Sequence, residues 1–151
     1  MTSRVAKNTL INSLDASSNF PRFLPVKSRR DQQFELLGLM AEAELEKIRS
    51  DLPPDVARLL DCVVIVFEPH PTLEEVKEGV DPDQLGLFEG AEYGDTSLPD
   101  PPRIVLWLEN LWDYAGRDPE IYREEIAITL LHEIGHYLGW DENQIEQRGL
   151  E

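Results

Sequence analysis

Asp118-Pro-Glu-Ile-Tyr-Arg-Glu-Glu-Ile-Ala-Ile-Thr-Leu-Leu-His132-Glu133-Ile134-Gly135-His136-Tyr-Leu-Gly139 decides how this chain folds. Asp118 suits a helix N-cap, and Pro119 suits the first helical position, where a missing N–H costs nothing. Glu120, Glu124 and Glu125 complement the positive N-terminal end of the helix. Ile121, Ile128, Leu131 and Leu138 are read as its apolar face, and Gly139 is placed to end it in a left-handed turn. His132 and His136 are four residues apart, so both imidazoles share one helix face and can reach one metal ion. Glu133 between them points aside, where a carboxylate can take a proton from a water on that metal. The chain has three histidines, and two of them form this HExxH pentad.

A catalytic zinc takes three protein ligands and keeps one position for water. Only fifteen residues follow His136, and none of them is histidine. The third ligand is therefore sought among the acids just past the turn. Extending the pentad gives His-Glu-x-x-His-x-x-Gly-x-x-Glu, which puts Glu142 three residues beyond Gly139. Glu142 ranks first, Asp141 second and Glu146 third. His70 reads as a loop histidine. No methionine turn can lie beneath the metal, because Met1 and Met40 both precede the motif.

Working outward, Arg103-Ile-Val-Leu-Trp-Leu-Glu109 is the clearest strand and follows the breaker Pro101-Pro102. It is taken as a substrate-docking edge, since an extended peptide can pair with an exposed strand. Val63 to Phe67 is a second, β-branched strand, and Cys62, which opens the apolar run Cys62 to Phe67, reads as a small buried hydrophobe. Residues 68–100 hold ten acids and one lysine and read mostly as loop, apart from a short strand in Leu85-Gly-Leu-Phe-Glu-Gly-Ala91. Asp31 to Ser50 is helical, with Phe34, Leu37, Met40 or Ala41, and Leu45 or Ile48 as the stripe and Asp31 as cap. Pro53-Pro54 stops it, and Asp55 to Leu60 suits a further short helix.

The 151 residues are enough for one domain with a real core. Fourteen Lys/Arg against thirty Asp/Glu give a formal charge of −16, which argues against nucleic acid and anionic membranes as partners. Residues 1–30 differ: Arg4, Lys7, Arg22, Lys27, Arg29 and Arg30 against Asp15 make them a basic arm, loosely ordered, ahead of a domain at 31–151. A lone cysteine allows no internal disulfide. No run is apolar enough for a membrane span or a signal peptide, so the cytoplasm is the expected location.

His-Glu-Ile-Gly-His-Tyr-Leu-Gly-Trp-Asp-Glu-Asn-Gln-Ile-Glu at 132–146 resembles the motif of the minimal zincin-like metallopeptidase family of bacteria. Leu85-Gly-Leu-Phe-Glu-Gly90 and Leu98-Pro-Asp-Pro-Pro-Arg-Ile-Val-Leu106 resemble its upstream blocks, and the likeness covers about 34–150. The resemblance implies a zincin-like α+β fold with a small mixed sheet beside the active-site helix, to which the stripe in Asp31 to Ser50 adds an N-terminal helix. It implies zinc as cofactor, His132 and His136 as ligands, and Glu133 as catalytic base. That family tends to carry Asp where Glu142 stands, which leaves Asp141 and Glu142 both open as ligand. The expected function is a zinc-dependent peptidase acting on peptides or proteins, with an acidic cleft favouring basic or neutral ones. Tyr137, Tyr114, Tyr93 and His70 are the candidates for stabilising the oxyanion. The alternatives are a metal-binding regulatory or adaptor protein with little turnover and a hydrolase of non-peptide amides.

Overall fold

The computed structural model describes residues 24–149. Most of the basic arm, residues 1–23, lies outside them. Of the remainder, residues 24–28 are exposed coil, and Arg29 and Arg30 are already helical. The elements run α1 Arg29–Asp51, α2 Pro54–Leu60, β1 Val64–Glu68, α3 Leu73–Lys77, β2 Gly86–Glu89, β3 Arg103–Trp107, α4 Leu108–Tyr114, α5 Pro119–Tyr137 and α6 Glu142–Glu146. This is an α+β fold with a three-stranded mixed sheet in the order β1-β3-β2.

The order follows from the strands' composition. Ile104, Val105, Leu106 and Trp107 are all fully buried, as expected of a central strand covered on both faces. β3 pairs parallel with β1, Ile104 opposite Ile65, and antiparallel with β2, Leu106 opposite Gly86. The expectation that 103–109 offers a docking edge is therefore wrong: a strand paired on both sides has no free N–H or C=O row. Glu109 moreover lies in α4, and the outer strand beside α5 is β2.

The long helix starts and stops as the sequence implies. Asp118 Oδ1 accepts the Glu120 and Ile121 N–H groups at 2.8 and 3.2 Å, and Pro119 opens the first turn. Its buried face, however, is Tyr122, Ile126, Thr129, Leu130, Glu133, Ile134 and Tyr137. Ile121 is exposed, and Ile128, Leu131 and Leu138 are only half-buried. The true stripe includes two tyrosines, a threonine and a glutamate, so its sequence does not read as apolar. Tyr122 earns its place by donating its hydroxyl to the Leu37 carbonyl at 3.1 Å, which ties α5 to α1.

α1 begins at Arg29, two residues before Asp31. Ser28 is the cap, and Asp31 closes a capping box by accepting the Ser28 N–H at 3.1 Å. Leu37, Ala41 and Ile48 face the core with Ile104, Leu106, Leu108, Leu111, Ile126 and Leu130. The acidic segment is less irregular than its composition suggests, since Thr72 and Glu75 cap α3 in the same way. Cys62 is exposed rather than buried, because the turn after α2 delays the strand to Val64. No described helix is long and apolar enough to cross a membrane.

Candidate metal centre

The pentad occupies the last turns of α5, and a tight reversal brings α6 back beneath it. Trp140 N–H bonds the Gly135 carbonyl at 3.0 Å, and Gly139 N–H bonds the His136 carbonyl at 2.9 Å. That pair of bonds is the Schellman ending, which needs a left-handed residue, and Gly139 has φ +80°. Asp141 then caps α6: its carboxylate accepts the Gln144 N–H at 2.9 Å while Gln144 returns the bond to the Asp141 N–H. Ile145 is fully buried and seats α6 against Gly135, where an added Cβ would lie 2.9 Å from Ile145 Cγ1.

These constraints carry Glu142 to the histidines. His136 Nε2 lies 3.0 Å from Glu142 Oε1, His132 Nε2 lies 3.4 Å from Glu142 Oε2, and the two Nε2 atoms are 3.2 Å apart. Two donors on one tetrahedral zinc, with bonds of about 2.0–2.1 Å, stand roughly 3.3–3.4 Å apart. The two imidazole nitrogens match that spacing within a few tenths of an ångström, and the Glu142 carboxylate turns one oxygen to each of them. Among the described residues, His132, His136 and Glu142 form the group of His, Cys, Asp and Glu able to hold a metal. Asp141, the second choice, turns its carboxylate to the α6 backbone; Glu146, the third, stands exposed at the end of α6.

The protonation of His136 fits the same role. Its Nδ1 is 3.2 Å from the Trp140 carbonyl oxygen, which can only accept. In the neutral imidazole the proton then sits on Nδ1, which leaves Nε2 as the nitrogen able to ligate a metal. Its lone pair, 3.0 Å from a carboxylate oxygen and 3.2 Å from a second imidazole nitrogen, is repelled unless a cation or proton lies between them. The donor set of two imidazoles and one carboxylate suits zinc.

Glu133 sits apart from the three donors, as the helix geometry requires. Its Oε2 accepts the Phe88 N–H of β2 at 2.8 Å, and the side chain is buried. Burial pushes its carboxyl above the usual range, while the Phe88 N–H and the two histidines pull the other way. β2 can approach this closely because Gly86 has no side chain; a Cβ there would stand 2.7 Å from Thr129 Cγ2.

Two cavities meet at His132 and Glu133. One of about 440 Å³ also touches His136 and Glu142 and is walled by Leu87, Phe88, Glu92 and Trp140. The other, about 330 Å³, runs toward the start of α5 past Gly86, Thr129 and Tyr114. Of the four oxyanion candidates, Tyr114 alone lines a cavity shared with Glu133. Tyr137 is buried against the rings of Phe88 and Tyr93, and His70 is an exposed loop residue beside the Pro71 carbonyl.

The sequence reading missed three contributors: Gly135, the Phe88 N–H and the Trp140 carbonyl. Gly135 was the findable one, since a glycine inside a helix costs about 1 kcal/mol and signals a close neighbour. The other two are backbone groups, whose identity no side chain announces. No curated protein matches the chain. Residues 60–150 match the family model described as zincin-like metallopeptidase, a stretch that runs from the end of α2 through the candidate metal centre. This chain belongs to the zincin-like metallopeptidase family.

Proposed function

We propose that this protein is a zinc-dependent peptidase with His132, His136 and Glu142 as metal ligands and Glu133 as general base. The observation that carries the reading is the convergence of His132 Nε2, His136 Nε2 and the Glu142 carboxylate within 3.4 Å, with Glu133 held beside them by the Phe88 N–H. A zinc ion bound there supplies a Lewis acid for the scissile carbonyl and lowers the pKa of an attacking water.

The chain's own groups do the rest. With Oε2 fixed on the Phe88 N–H, Glu133 has Oε1 to take the proton from water and later to hand it to the leaving amine. The buried setting strengthens that carboxylate as a base. β2 replaces β3 as the docking strand: it is an outer strand whose residues line both cavities, and a peptide pairs with what its outer edge leaves once the Gly86 carbonyl accepts from Gln84 and the Phe88 N–H donates to Glu133. An extended peptide laid along β2 passes His132 and Glu133 with side chains entering the cavities on either side. We take Tyr114, two-thirds exposed at the rim of the second cavity, as the candidate for stabilising a developing oxyanion, because it lines a cavity that Glu133 also lines.

The test is cleavage of a peptide library by zinc-loaded wild type and by Glu133→Gln, with zinc measured in the same samples. The amide keeps size but cannot accept the water proton, so hydrolysis falls by at least the ~10²–10⁴-fold typical of a general base while zinc is retained. Wild-type turnover in Glu133→Gln would overturn the mechanism. Loss of zinc along with turnover would give Glu133 a structural role instead.

A further inference from the structure

The cavity on the N-terminal side of the pentad has a chemical character of its own. Leu85 and Ile128 give it apolar walls, Tyr114 stands at its rim, and Glu125 adds a carboxylate. Glu125 precedes His132 by seven residues, two turns of α5, so the carboxylate lies roughly 10 Å along the helix from the metal donors. No lysine or arginine lines this cavity. Glu125 is partly buried, and its carboxyl is raised by that burial and by Glu124, with no cation offsetting them. A carboxylate set in a half-buried cavity with apolar walls, and lacking a counter-charge among the described residues, is matched by a cation on a flexible aliphatic stem.

We propose that this cavity is a specificity pocket for a lysine or arginine side chain adjacent to the scissile bond, and that Glu125 is the residue that selects it. The inference rests on the peptidase reading above and names its substrate class. The four-carbon stem of lysine lies along Leu85 and Ile128, and the head group reaches Glu125. The formal charge of −16 assists by raising the local concentration of basic peptides. The second cavity carries Glu92 and Glu142, but Glu142 is committed to the donor group and Glu92 is exposed at the Gly139 turn.

The experiment compares lysine hydroxamate with norleucine hydroxamate by calorimetric binding to the zinc-loaded full chain. The two ligands share the zinc-binding group and the four-carbon stem, and differ in the terminal charge. Wild type is expected to bind the lysine compound about five- to tenfold tighter, between the effects of an exposed and a buried ion pair. Glu125→Gln, with an unchanged melting curve, should equalise the two affinities, and Glu125→Lys should reverse the order. Equal affinities in wild type, a preference that survives Glu125→Gln, or one abolished by Glu92→Gln would each overturn the pocket. If the preference holds but no peptide is cleaved, Glu125 still selects a basic side chain in this cavity and the peptidase reading falls. If peptides are cleaved without regard to lysine or arginine, and the two hydroxamates bind alike, the pocket alone falls.

Discussion

Asp141 and Glu142 are adjacent acids in an acidic protein, and sequence could rank them but not separate them. The distinction lies in what each carboxylate already holds. Asp141 accepts the Gln144 N–H and so starts α6, whereas Glu142 reaches both histidines. Glu142→Ala should weaken zinc binding by tenfold or more, measured by competition with a chelating dye. Asp141→Ala removes a cap worth about 1 kcal/mol and should change affinity far less. Equal losses would mean that α6 order, rather than the Glu142 ligand, controls the site. The pentad itself was legible because spacing alone puts two imidazoles on one helix face. The Phe88 N–H that orients Glu133 was not, since it depends on which strand lies beside α5.

Between elements, contacts too close for a side chain do the positioning. Gly135 lets Ile145 seat α6, and an added methyl would meet Ile145 at 2.9 Å and Trp140 at 3.3 Å. Gly135→Ala is expected to weaken zinc affinity about tenfold, because α6 must shift and carries Glu142 with it. Gly38 is the control: it lies in α1 with open space around it, so Gly38→Ala should stabilise by about 0.5–1 kcal/mol in urea unfolding. A stabilised Gly135→Ala with full zinc affinity would show that α6 is not held by this contact. Tyr122→Phe removes one buried hydrogen bond between α5 and α1 and should cost about 1 kcal/mol. The ends of α5 were readable from Asp118, Pro119 and Gly139, each a local signal. Its buried face was not, because Tyr122, Thr129 and Glu133 are inside for tertiary reasons: a bond to α1, a close strand, and the site. β3 was readable as a strand and misread as an edge, since pairing partners are set by topology and not by the strand's own residues.

The capping boxes give the same scale a pH signature. Hydrogen bonds from Ser28 and Thr72 hold the Asp31 and Glu75 carboxyls below their ordinary values. Their contribution to stability is therefore present above the unfolded-state values of 3.8 and 4.5 and is lost as pH falls through the lower folded-state values. The double variant Asp31→Asn, Glu75→Gln should flatten the acid limb of a stability–pH curve. An unaltered limb would assign the acid sensitivity to other carboxylates.

Across the molecule, helices α5 and α6, strand β2 and the Gly139 turn converge on one site, while α1, α4 and β3 supply the core that holds them. The fold class was legible because a long capped helix, two apolar runs and an N-terminal stripe leave few arrangements. The sheet order was not, since it depends on contacts distant in sequence, and the turn past Gly139 was legible while the short helix α6 that follows it was not. Zinc joined to three side chains on two helices should stabilise the folded state by mass action, about 2.7 kcal/mol at a hundredfold excess over Kd, and chelation should lower Tm accordingly. The most direct measurement is the zinc content of the full chain after dialysis at neutral pH, alongside His132→Ala and His136→Ala. About one zinc per chain in wild type and none in either variant is the expected result; wild-type protein that stays metal-free when refolded in excess zinc would contradict the metal centre.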